Sequence, residues 1–298
     1  MNPASLINGQ PADKVEVLDR GLQYGDGLFE TLAVKEGQPQ LWDRHMERLR
    51  EGCRRLHLPA PDPILLRDEA AMLCSGAARA VLKIILTRGA GARGYRIQPG
   101  VSATRILTLS AAADYPEHYY RDGVTVRLCA TPLARNPVLA GIKHLNRLEQ
   151  VLARAEWDDA RIAEGLMCDP DGYIIEGTMS NLFLVRSGAL AVPRLDACGV
   201  AGVMRASILA WARGAGVAVQ ERPVTPADLK AADEAFLCNS LIGVWPIRRC
   251  GETALRRGPL TARVLAAVGR CSLMPASVLA ELESEGARTA AVHRADAC

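Results

Sequence analysis

The apolar and polar positions of this chain fall into two runs of elements. In the first run, SLING, GLFETLAV, RAVLKIILTR and TRILTLSA read as short strands. Two helices lie among them. One is LWDRHMERLREGCRRLHL, whose Met46, Leu49, Cys53 and Leu56 recur at helical spacing on one face, with Asp43 placed as its N-cap. Arg48 lies beside that apolar face, whereas Arg50 and Arg54 do not. Strands mixed with two helices predict a small α+β domain over residues 1–113. The next ten residues, DYPEHYYRDG (114–123), are rich in turn formers and aromatics and predict a linker that also borders a functional cleft. From Val124 the strands VTVRLCATP, EGLMCDPDGYIIEG, NLFLVRSGALAVP and EAFLCNSLIGVWPI alternate with helices around Asn146–Trp157 and Val203–Gly214. They predict a larger second domain over 124–271. Residues 272–298 turn Ala- and Glu-rich without an apolar stripe and predict a weakly ordered tail.

Composition narrows the function classes. At 298 residues, 49% of them apolar, the chain can bury one or two sizeable cores. The net charge is +3, the arginines are scattered, and no basic block alternates with aromatics, so a nucleic-acid partner is not expected. No apolar run reaches the roughly 20 residues of a membrane span. The opening MNPASLINGQPADK lacks the charged-then-apolar layout of a secretory signal, so cytoplasm is the expected location. The nine cysteines are odd in number, widely spread and without a CxxC pair. They read as buried thiols. The five histidines show no zinc-ligand spacing, and no metal is expected. His144, beside Lys143, reads as a structural hydrogen-bonding residue. Gly89, Gly91 and Gly94 satisfy GxGxxG after the strand-like VLKIILT, but a second strand follows them where a dinucleotide fold requires a helix.

The candidate chemistry lies elsewhere. Lys143 sits in AGIKHLNRLEQVLARAEW, and a lysine in an apolar setting can attack a carbonyl and form a Schiff base. Glu176 follows in DGYIIEGTMSNLFLV, where a carboxylate can pair with a pyridinium nitrogen. In GVAGVMRASILAWARGAG, Gly199 and Gly202 precede a helix and place the N–H groups of Val203 and Met204 at its start, where an anion is favoured. Arg48 can reach inward to a phosphate.

The order DRGLQYGDGLFETLAV, HMERL, GIKHLNRLEQ, EGTMSNLFLV, GVMR and EAFLCNSL resembles the fold-type-IV enzymes that use pyridoxal phosphate (PLP). The resemblance covers roughly residues 5–270. RNPVLAGIKHLNRLEQVLAR, TRGAGARGYR and ATRILTLSA are most similar to the aminodeoxychorismate lyases of that group. The resemblance implies a two-domain α+β (α/β) fold, a strand-rich second domain, the cofactor in the cleft between domains, and a homodimer. It further implies that Lys143 forms the Schiff base with PLP and that Glu176 binds the pyridine nitrogen. Arg48 and the amides of Val203 and Met204 would hold the phosphate. Ser240 matches a hydroxyl that contacts the phosphate in some members. Leu148 stands where branched-chain aminotransferases place a tyrosine, and Asn146 lies three residues beyond Lys143, as in lyases and D-amino-acid enzymes.

The reaction so implied converts 4-amino-4-deoxychorismate to 4-aminobenzoate and pyruvate, a step of folate biosynthesis, with Lys143 as the base. Arg93 and Arg105 are the candidates for the two substrate carboxylates. Two alternatives stand beside it. An aminotransferase for D- or branched-chain amino acids would use the same lysine, glutamate and phosphate cradle. A non-catalytic PLP-binding scaffold would need neither Lys143 nor Glu176.

Overall fold

The computed structural model of the protein describes residues 4–284, which divide into two compact units. The first comprises residues up to Ala113 together with Ile142–Arg147. Its elements are β1 (Ser5–Ile7), β2 (Gln10–Pro11), α1 (Arg20–Tyr24), β3 (Gly27–Lys35), β4 (Gln38–Pro39), α2 (Trp42–Leu56), α3 (Pro63–Cys74), β5 (Arg79–Thr87) and β6 (Thr104–Ala111). The strands form an antiparallel sheet in the order β2-β1-β6-β5-β3-β4. Its centre is the pairing of β3 with β5, in register from Gly27↔Thr87 to Lys35↔Arg79. Alternation sends Leu28, Leu32 and Val34 of β3 and Leu82, Ile84 and Leu86 of β5 into the core, against Met46, Leu49 and Cys53 of α2 and Leu66, Ala70 and Leu73 of α3. Gly52 lets α2 close on the sheet, since a Cβ there would stand 2.9 Å from a Leu28 methyl carbon.

The second unit comprises Asp114–Gly141 and the residues from Leu148 onward. It contains α4 (His118–Arg121), β7 (Val124–Leu128), α5 (Leu148–Arg154), β8 (Ile162–Cys168), β9 (Ile174–Gly177), β10 (Asn181–Arg186), β11 (Ala189–Pro193), α6 (Val203–Gly214), β12 (Val219–Arg222), α7 (Pro226–Lys230), β13 (Glu234–Asn239), β14 (Gly243–Cys250), β15 (Thr253–Ala254) and α8 (Pro259–Val268). Eight strands run in the order β12-β11-β10-β13-β14-β7-β8-β9, and β15 adds to β14. The β7 pairings with β14 and β8 are parallel, as is β11 with β12, and the rest are antiparallel.

Four sequence expectations change. The segment carrying Lys143 clusters with the first unit and not with a domain over 124–271. Residues 114–123 are packed into the second unit: Tyr120 is fully buried, and the Tyr115 and Tyr119 rings meet Trp245 edge-on at 5.0 and 5.1 Å. Of the expected tail, residues 272–284 are packed. A helix over 276–284 buries Val278 and Leu282, Leu273 and Met274 are also buried, and Glu281 takes a forked pair from Arg121. Residues 285–298 lie outside the described residues. Asp43 is not the cap of α2: Leu41 is, in left-handed backbone at φ 54°, and Asp43 sits in the first turn and accepts from Arg67. Among the described residues no helix is long and apolar enough to cross a membrane, and no group of side chains could hold a metal ion. The eight described cysteines are free thiols.

Candidate active site

In the first unit, residues 142–147 lie along the open edge of β3. Phe29 N–H donates to the Lys143 carbonyl at 3.0 Å, Leu145 N–H to the Gly27 carbonyl at 3.0 Å, and Leu28 and His144 form an antiparallel bridge. Ile142 anchors the segment in the core, and the Asn146 amide donates to the Gly25 carbonyl at 3.2 Å. The half-buried Lys143 side chain places Nζ 4.2 Å from the centre of the Phe29 ring, a cation–π contact that a cation can give up to a stronger partner. His144 is structural, as its sequence context suggests: Arg147 donates to its carbonyl and to its ring. Burial, and then the Arg147 charge, push its imidazole down to about 4, so it stays neutral at ordinary pH.

Arg48 lies on the sheet side of α2 with its guanidinium forked onto Glu30 of β3. Nε donates to Oε1 at 2.9 Å and Nη2 to Oε2 at 2.5 Å. His45 Nδ1 stands 2.6 Å from the same Oε2. Burial pushes the Glu30 carboxyl up, but the Arg48 charge and the bonds from His45 and Arg48 outweigh it and hold the group at about 2. Sequence reading missed Glu30, although its inward parity on β3 was a signal.

The candidate substrate arginines have different surroundings. Arg105 of β6 is forked onto the buried Glu69 of α3, at 3.2 and 2.6 Å, which accounts for its presence without a ligand. Arg93 is exposed on the loop between β5 and β6. That loop is docked on α1. Arg20 donates to the Gly94 and Tyr95 carbonyls, and the Tyr24 hydroxyl accepts from Gly94 N–H. The loop leads directly into β6, so the glycines do not form a dinucleotide site.

In the second unit, Glu176 is a buried carboxylate on β9. Its Oε2 accepts the Val200 N–H at 2.8 Å, with the Asn181 amide at 3.5 Å; Asn181 in turn donates to the Val200 carbonyl at 2.9 Å. The backbone around Val200 is fixed by a parallel bridge to Gly141. Glycine is required on both sides of it. Gly199 has φ 84° and a Cβ would fall 2.7 Å from an Ile175 carbon, while a Cβ on Gly202 would fall 2.0 Å from Asn181 Oδ1. Gly202 begins α6 with no side-chain cap, so the first-turn amides of Val203 and Met204 are backbone donors at the positive end of a helix. Ser240 is half-buried in the turn after β13, a turn shaped by Asn239, which accepts from Leu241 and Ile242 and donates to the Met179 carbonyl.

Glu164 of β8 also escaped sequence reading. Its buried carboxylate accepts from the Thr178 and Ser180 hydroxyls at 2.6 and 2.9 Å and from the amides of Gly165, Thr178 and Met179. It therefore fixes the turn that joins Glu176 to Asn181. Burial raises its carboxyl above the ordinary value even against these donors.

The first unit thus offers an amine on an aromatic ring and an arginine, and the second a buried carboxylate and a glycine-led helix start. The class IV amino-transferase family matches residues 27–250. An aminodeoxychorismate lyase of Vibrio harveyi is 40% identical over 244 residues, 81% of this chain and 89% of that one. The crystal structure of 4-amino-4-deoxychorismate lyase from Pseudomonas aeruginosa is 52% identical with a TM-score of 0.85, covering 87% of this chain and 96% of that one. An Escherichia coli branched-chain amino acid aminotransferase shares the fold, with a TM-score of 0.81 over 92% of this chain and 96% of that one at 23% identity. A family match over most of its length, joined to those identities, means that this chain belongs to the class IV aminotransferases.

Proposed function

We propose that the chain is a PLP-dependent lyase that converts 4-amino-4-deoxychorismate to 4-aminobenzoate and pyruvate. The observation that carries the reading is the 40–52% identity to aminodeoxychorismate lyases over more than four-fifths of the chain. The donor set fits PLP. The buried Glu176 carboxylate already accepts from Val200 N–H, and the protonated nitrogen of a pyridine ring would be a further, charged donor to it. An uncapped, glycine-led helix start suits a phosphate, which the Val203 and Met204 amides, Arg48 and Ser240 would hold. Lys143 would carry the cofactor through its amine.

Bound PLP supplies an electron sink for the substrate carbon that bears the amine. Lys143 Nζ takes the proton from that carbon, and Glu176 keeps the proton on the ring nitrogen. The allylic C–O bond to the enolpyruvyl group breaks, the departing fragment is protonated to pyruvate, and the carbocycle becomes aromatic. Aromatisation supplies much of the driving force, so the protein's task is to place the proton transfers. Arg93, exposed on a loop that α1 holds in place, is the candidate for a substrate carboxylate. The enzyme acts in the cytoplasm as a homodimer. Apolar side chains left in solvent on α5 and nearby, Leu148, Val151, Leu152 and Val138, support self-association.

The test is release of pyruvate and 4-aminobenzoate from enzymatically made aminodeoxychorismate with added PLP. Equal amounts of both are expected from the native chain. Lys143→Ala is expected to lose turnover and the visible absorbance of bound PLP while melting within a few degrees of the native protein. Near-native turnover in that variant would remove Lys143 from the mechanism. Bound PLP with amino transfer to a keto acid and no pyruvate would reassign the enzyme to the aminotransferases.

A further inference from the structure

Glu30 occupies a place that strand parity reserves for an apolar side chain. The inward row of β3 reads Leu28, Glu30, Leu32, Val34, and Glu30 pairs across the sheet with Ile84. Its carboxylate is 1% exposed. A charge in such a row is costly unless it is well paired. Apolar side chains of similar volume commonly serve stability as well as or better than a buried ion pair does. Stability therefore does not account for the carboxylate, and its effect on Arg48 does. Two bonds, through Nε and Nη2, fix the plane and orientation of the guanidinium. His45, fully buried on the same face of α2, braces Glu30 from the other side. The Lys143 charge reaches the same cluster: burial first, then Arg48 and Lys143, push the His45 imidazole down against the opposing pull of Glu30.

We infer that Glu30 is a positioning residue, holding the Arg48 guanidinium in the one orientation that directs it to the phosphate of the cofactor, with His45 as the brace. This rests on the reading of Arg48 as a phosphate-binding residue. Because Glu30 offsets the Arg48 charge, Arg48 acts through directed hydrogen bonds more than through net charge. Lysine, a point charge without the fork, cannot replace it.

The experiment compares two ligands on the full-length chain stripped of cofactor: PLP, and pyridoxal, which lacks the phosphate. Tryptophan fluorescence gives both dissociation constants, and their ratio isolates phosphate recognition. Arg48→Met is expected to lower the preference for PLP by about 100-fold, and Glu30→Gln and Arg48→Lys by about tenfold each. Pyridoxal affinity is expected to stay native throughout, and the Glu30→Gln/Arg48→Met double variant to match Arg48→Met alone. Glu30→Gln weakening both ligands by one factor would make the residue a folding element only and overturn the inference. A native ratio in Arg48→Lys would do the same, and that variant leaves the buried carboxylate in place if Glu30→Gln does not fold. A lowered ratio in Arg48→Met with native ratios in the other two would overturn the inference while sparing the phosphate reading. A native ratio in Arg48→Met would end both.

Discussion

Glu30 also makes a prediction about folding, because its carboxyl is held at about 2 against an ordinary 4.5. A depressed carboxylate pKa means that the unfolded chain binds the proton more readily than the folded one. The stabilisation is therefore fully present above about pH 4.5 and fades as pH falls toward 2. Glu30→Gln removes the titrating group while keeping the shape, so its urea midpoint is expected to lie well below the native one near neutrality. The gap should close steadily as the pH is lowered below 4.5. A gap that does not change with pH would assign the loss to shape and not to charge. At this scale the sequence was legible where a residue declares its own face. Arg48 falls beside the apolar stripe of α2 by helical spacing, and the structure puts it there. Glu30 was harder: it shares the parity of Leu28, Leu32 and Val34, but a carboxylate in GLFETLAV is easily passed over until the register with β5 shows that this parity faces α2. Glu164 was hidden in the same way, four of its five hydrogen bonds coming from a turn more than a dozen residues further along the chain.

The helices differ in what satisfies their first turns. Asp19 caps α1, Asp62 followed by Pro63 caps α3, and Thr225 closes a capping box with Asp228 on α7. Such local caps are visible in a sequence. The start of α2 is not, because the β4 return feeds the chain into the helix through a left-handed Leu41 and leaves Asp43 inside the first turn. Nor is that of α8, where the acceptor comes from another strand. The buried Glu234 of β13 takes the amides of Leu260 and Thr261 at 3.2 and 2.7 Å, and a Cβ on Gly258 would collide with its carboxylate. An anion on a helix start, buried and doubly bonded, stabilises through both the bonds and the dipole. Glu234→Ala is expected to cost about 2 kcal/mol in urea unfolding, with Glu234→Gln recovering part of it. An alanine variant as stable as the native chain would show that water caps α8 equally well. By contrast α6, with glycine at its cap and no side-chain hydrogen bond from it, starts with backbone amides that suit a phosphate.

At the scale of the whole molecule, the two runs of elements were legible, and one detail of their boundary was not. Residues 142–147 have no periodicity of their own and return to the first unit through bonds to β3 that only the folded chain reveals. Surface composition then argues for a partner. On α5, Leu148, Val151 and Leu152 are 68, 60 and 54% exposed, and Val138 of the same unit is 71% exposed. Single exposed apolar residues are ordinary, but three on a seven-residue helix leave one turn after another wet. Their arrangement suits a second copy of this chain, which would cover them with the same patch about a two-fold axis. Light scattering is expected to give twice the 32.0 kDa chain mass for the native protein. Val151→Glu places a charge where the side chain already meets solvent, so a lone subunit should hold its fold within about 0.5 kcal/mol. In a dimer the same charge would be buried without a partner, at a cost of several kcal/mol on each side. The variant is therefore expected to elute as a folded monomer at micromolar concentration. If it stays dimeric, the interface lies on another face, and the exposed Val17, Leu18 and Leu22 around α1 become the next surface to charge.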